Sequence, residues 1–201
     1  DRIGTTSGTA RVDLTVLPRP VIGVTKKASD PVLLGDGTYD VTYFIAVANL
    51  NKVALRDVSL GDNLQETFRN AGSFKVRSVR VSGDGLIPNA AFNGKTDTSL
   101  LSAGSALAVG GTGMIEVDVN VKTRDDHFGP FGNVASASGM VIDEISGLPL
   151  VATDLSNDGD LGAVDTLTAV PTAVSFTPVA AVGLAKSASG PVLQKNGSYH
   201  V

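Results

Sequence analysis

Tyr39-Asp40-Val41-Thr42-Tyr43-Phe44-Ile45-Ala46-Val47 is the stretch on which the fold turns. Tyr39, Val41, Tyr43, Ile45 and Val47 fall on every second position, and side chains two apart share one face of an extended strand. The stretch reads as a half-buried strand whose rings and branched chains cover a core from one side. Working outward, the period of two recurs at Val12-Leu14-Val16, at Val53-Leu55 running into Val58-Leu60, at Phe74-Val76 and Val79-Val81, and at Ile115-Val117-Val119-Val121. Turn-forming clusters separate these runs at Gly35-Asp36-Gly37, Asn49-Leu50-Asn51, Ser82-Gly83-Asp84-Gly85, Gly110-Gly111-Thr112-Gly113 and Asn157-Asp158-Gly159. Strands and turns at this spacing predict an all-β protein built as a β-sandwich. Only the stretch from Asn63 to Ala71 looks helical, and it is short.

The strand also belongs to a repeat. Residues 22–41, from Ile22-Gly23-Val24-Thr25-Lys26-Lys27-Ala28-Ser29 to Tyr39-Asp40-Val41, return 160 positions later as residues 182–201, from Val182-Gly183-Leu184-Ala185-Lys186-Ser187-Ala188-Ser189 to Tyr199-His200-Val201. Ten of the twenty aligned positions are identical. A fixed period of this size predicts one unit of a longer array, with 1–17 ending an upstream unit, 18–177 forming the main sandwich and 178–201 opening the next. Pro18, Pro20, Pro171 and Pro178 stand at the two junctions, where proline stiffens a connection.

Composition narrows the function. The 201 residues carry a net charge of −4, with lysines and arginines scattered rather than gathered in a stripe, which argues against nucleic acid and anionic membranes as partners. No run of the sequence reaches the ~18–20 apolar residues of a membrane helix. Cysteine is absent, and this alone does not choose a compartment.

The segment from Thr25-Lys26-Lys27-Ala28 through the Gly turn and Tyr39–Asn49 to Leu55-Arg56-Asp57-Val58-Ser59-Leu60-Gly61-Asp62-Asn63 resembles the immunoglobulin-like repeat of large bacterial and archaeal surface proteins known as domain of unknown function eleven. Gly132-Asn133-Val134-Ala135-Ser136-Ala137-Ser138-Gly139 is similar to the penultimate-strand segment of that family, and Thr153–Gly159 to the acidic segment that precedes its next repeat. The resemblance covers most of residues 22–160. It implies an immunoglobulin-like sandwich at the cell surface or outside the cell. Gly85 to Gly113 departs from the family pattern, as extra strands or an inserted layer of loop.

Two constellations bear on chemistry. Asp154, Ser156, Asp158 and Asp160 occupy positions 1, 3, 5 and 7 of a loop with Gly159 at 6 and Asp165 at 12, the spacing of a calcium loop. A solvated Asx-rich turn explains the same residues, so Ca2+ and the turn both stay open. Lys26 recurs as Lys186 while Lys27 becomes Ser187, and the resemblance to surface sandwiches, some of which join a first-strand lysine to a late-strand asparagine beside a buried carboxylate, implies a covalent reading with Asn133 and Glu116 in those roles. The alternative is an exposed lysine whose stem packs along the sheet. Asp125-Asp126-His127 reads as a surface turn, since no second histidine or nucleophile motif accompanies it.

The sequence thus predicts a non-catalytic structural repeat of a long secreted or surface protein, an adhesin, stalk or filament, whose partners are adjacent repeats or identical subunits. Strand complementation between separate units is the alternative. A sugar-binding accessory module is disfavoured by the lack of tryptophan.

Overall fold

The structure, a computed structural model, describes residues 21–143, 146–157, 161, 169–178 and 186–200. The strand expected at Val12–Val16 and the upstream segment 1–17 lie outside them.

Tyr39–Val47 forms the spine of the first sheet. That sheet contains β1 (Ile22–Ala28), β2 (Val32–Leu33), β3 (Tyr39–Asn49), β5 (Ser73–Ser82) and β6 (Thr112–Lys122), all antiparallel, in the order β1-β3-β6-β5 with β2 also on β3. The second sheet is β4 (Arg56–Asp62), β8 (Ala135–Ile142) and β9 (Pro149–Leu155), in the order β4-β8-β9. β7 (Phe131–Asn133) and β10 (Thr172–Val174) form a separate short pair, with β10 packed against β1. The molecule is an all-β sandwich.

The register explains the core. Tyr39, Val41, Tyr43 and Ile45 pair with Val121, Val119, Val117 and Ile115, so both strands turn the same parity inward. All eight are buried, and they meet Val58, Leu60, Ala135 and Ala137 of the second sheet, with Leu55 just before β4, in one cluster. The opposite parity of β3, β5 and β6 carries Thr42, Ser78, Arg80, Glu116 and Asp118 on the outer face. There Arg80 bonds both Glu116 and Asp118, and Thr42 and Ser78 donate to Asp118.

The predicted helix is a single turn, α1 (Leu64–Thr67), whose Asn63 cap accepts a bond from Glu66 N. The stretch Gly85–Gly113 ends on the first two residues of β6, and the residues before them form an irregular cover. Leu55, Val58 and Asp62 donate their N–H groups to Leu107, Ser105 and Thr98 carbonyls, so the segment occupies the outer edge of β4 and buries Phe92, Leu100, Leu101 and Leu107. An edge strand left bare is a template for unwanted pairing, and this layer removes it.

The repeat reappears in three dimensions. Val32 and Leu33 of β2 pair with Asp40 and Tyr39; 160 residues on, β11 (Val192–Leu193) pairs with β12 (Tyr199–His200) in the same register. Both turns close with matching bonds. Leu34 N donates to Thr38 O and Gly37 N to Leu34 O in the first; Gln194 N donates to Ser198 O and Gly197 N to Gln194 O in the second.

Candidate functional site

Three strands bring a polar residue to the inward parity of an apolar run. β1 reads Ile22, Val24, Lys26; β4 reads Val58, Leu60, Asp62; β7 reads Phe131, Asn133 and leads to Ala135. Alternation alone then drives all three side chains into the core, each 1% exposed. The β4–β8 register pairs Asp62 with Ala135, which sets Asp62 beside the end of β7. β1 approaches from the first sheet, its Lys26 N–H bonded to Asn157 O and its Lys26 carbonyl accepting from Thr172 of β10.

The side chains converge on one atom. Lys26 Nζ lies 2.6 Å from Asp62 Oδ2, and Asn133 Nδ2 donates to that same oxygen at 3.4 Å. Tyr43, diagonal to Lys26 across the β1–β3 ladder, lays its ring 4.6 Å from Nζ. Among the described residues the Asp62 Oδ1, Asn133 Oδ1 and Tyr43 hydroxyl oxygens find no hydrogen-bond partner.

This cluster is costly in a folded protein. Taking a carboxylate and an ammonium out of water costs several kcal/mol per ion, which one ion pair with two unbonded oxygens beside it does not fully return. Burial pulls the Lys26 ammonium below its ordinary pKa, and the charge and hydrogen bond of Asp62 work against that pull. Burial also pushes the Tyr43 hydroxyl well above its usual range, the Asp62 charge adds to the push, and Asn133 opposes it. The arrangement is a desolvated amine, a proton acceptor in contact with it, and a carboxamide on the same acceptor.

Of the expected covalent trio, the structure brings Lys26 and Asn133 together and leaves Glu116 elsewhere. Glu116 sits between Ile115 and Val117 on β6 and so faces outward, where Arg80 holds it at 2.7 Å. The carboxylate beside Lys26 and Asn133 is that of Asp62. Its signal in the sequence is the run Val58-x-Leu60-x-Asp62, an acid on the apolar parity.

The calcium spacing divides differently. Asp154 Oδ2 accepts from Val24 N at 2.8 Å and Ser156 Oγ from Ala135 N at 2.9 Å, both side chains buried and tying strand to strand. Asp158, Asp160 and Asp165 lie outside the described residues. Among the described residues no group of three His, Cys, Asp or Glu side chains gathers for a metal. Asp125 and Asp126 are exposed; Arg124 pairs with Asp126 at 3.4 Å, and the His127 ring stands edge-on to Phe131.

No protein-family model matches the chain, and no curated protein matches it. Among the described residues no helix is long and apolar enough to cross a membrane.

Proposed function

We propose that the chain is a structural repeat of a long secreted or cell-surface protein, an immunoglobulin-like sandwich that transmits force or spans distance and transforms no external substrate. The observation that carries this reading is the pair of equivalent hairpins, β2–β3 and β11–β12, which share register and turn bonds at a spacing of 160 residues. A hairpin that opens one sandwich and recurs at a fixed interval is what a tandem array contains. Neighbouring units of the same protein are the partners this implies.

Removal of residues 179–201 tests the reading. In a tandem array the remaining sandwich keeps its cooperative unfolding transition, because β11 and β12 pair only with each other among the described strands. Loss of that transition means the tail supplies a strand to the sandwich, and strand complementation between subunits replaces the stalk. Protease treatment of intact cells, with the repeat cleaved only where it is outside, checks the location.

A further inference from the structure

The Lys26–Asp62–Asn133 cluster lies apart from the two hairpins and sets an ion pair and a carboxamide wholly out of solvent. We propose that Lys26 and Asn133 join in an intramolecular amide bond, with Asp62 moving the protons.

The atoms balance without any other reactant. Asp62 Oδ2 takes a proton from the Lys26 ammonium with which it is in contact, giving a neutral amine and a neutral acid. Burial, which holds the ammonium below its ordinary pKa against the pull of Asp62, eases the loss of that proton. The amine lone pair attacks Asn133 Cγ, forming the N–C bond as the carbonyl electrons move onto Oδ1. Asp62 protonates that oxygen, reclaims a proton from the Lys26 nitrogen and hands one to Nδ2. The C=O re-forms, the Cγ–Nδ2 bond breaks and ammonia leaves. Of the three lysine hydrogens one remains on the new amide, one departs in the ammonia and one ends on Asp62.

The structure supports each role. Both nitrogens rest on one carboxylate oxygen, so a single group reaches the attacking and the leaving atom. Among the described residues Asn133 Oδ1 accepts no hydrogen bond, so none has to break when its charge changes. The product replaces two buried ions by a neutral amide and a neutral acid, and the acid O–H gains the amide oxygen as its acceptor. Solvent is excluded from all three side chains, which protects the amine from protonation by water. The bond runs from β1 of the first sheet to β7, which leads directly into β8 of the second, so it staples the two layers together.

Intact mass spectrometry of the denatured full chain, followed by fragmentation of its protease digest, decides the matter. The expected result is a mass short of the sequence by one ammonia and a branched peptide joining Lys26 to Asn133, with protease no longer cutting at Lys26. Asp62→Ala and Asn133→Ala, checked for folding by circular dichroism, are expected to show the full mass. A wild-type chain of full mass overturns the proposal whether or not either variant folds. So does an ammonia loss confined to a linear peptide, which would be a cyclised asparagine, or a loss of water joining Lys26 to Asp62. None of these outcomes touches the repeat reading, which rests on the two hairpins.

Discussion

Lys26 Nζ and Asp62 Oδ2 lie 2.6 Å apart with both side chains wholly out of solvent, and they come from opposite sheets of the sandwich. The contact is therefore long-range in the chain and central in the fold. Whatever alters it alters the attachment of one layer to the other.

Asp62→Ala leaves an uncompensated ammonium in the core and removes the proton acceptor. The expected cost is about 3–5 kcal/mol from the broken pair alone, read as a lowered denaturant midpoint with a steeper slope, since the uncross-linked unfolded chain exposes more surface. A variant within about 0.5 kcal/mol of the parent would mean that the pair contributes nothing.

Asn133→Ala keeps the ion pair but removes the electrophile. A cross-link closing a loop of this size removes roughly 4–5 kcal/mol of unfolded-state entropy by the chain-entropy account, so the variant unfolds at a lower temperature by that measure and by the lost side-chain packing. An unchanged melting temperature contradicts the cross-link.

How much of this was legible differs by element. Alternation in Tyr39–Val47 and Ile115–Val121 fixed the sandwich, because a two-residue period has a single physical meaning when one face is buried. The same rule already excluded Glu116, which stands between Ile115 and Val117 and must face outward, and it pointed to Asp62, one step beyond Val58 and Leu60. Asp62 also stands directly before Asn63, the cap of α1, where an acid is equally at home on the surface. The course of Gly85–Gly113 was not legible, since its contacts with β4 are scattered backbone bonds without a side-chain period.

Leu107 tests that covering segment. Leu107→Ala removes a fully buried side chain and is expected to cost about 2–5 kcal/mol, with faster hydrogen exchange at the Leu55 and Val58 amides that the segment caps. Exchange unchanged at those two amides would show that the segment is not what protects the edge.

Asp154→Ala is expected to destabilise the fold by about 1–3 kcal/mol, the cost of leaving the buried Val24 N–H without its acceptor. The loss should be the same in calcium and in chelator, since that carboxylate oxygen is occupied by backbone. Destabilisation seen only when calcium is present would instead make Asp154 a metal ligand.

Burial tends to raise the Asp118 carboxyl, but bonds from Ser78, Arg80 and Thr42 outweigh it and hold the group down to about 2. A depressed carboxyl stabilises the fold fully above its unfolded value of about 4, and that contribution fades as pH falls toward 2. Arg80→Ala should move the Asp118 titration upward in a carbon-detected NMR experiment. Because Arg80 is 56% exposed, the accompanying change in stability at neutral pH should stay under about 1 kcal/mol. An Asp118 titration that does not move would remove Arg80 from the network.

Pulling the full chain from its two ends in a single-molecule force experiment reads out the proposed bond, because a bond from Lys26 to Asn133 takes residues 27–132 out of the line of force. The account predicts that unfolding the sandwich releases roughly 350–380 Å less contour than the sequence would supply, and that Asp62→Ala restores the missing length. Release of the full length by the unaltered chain would contradict it.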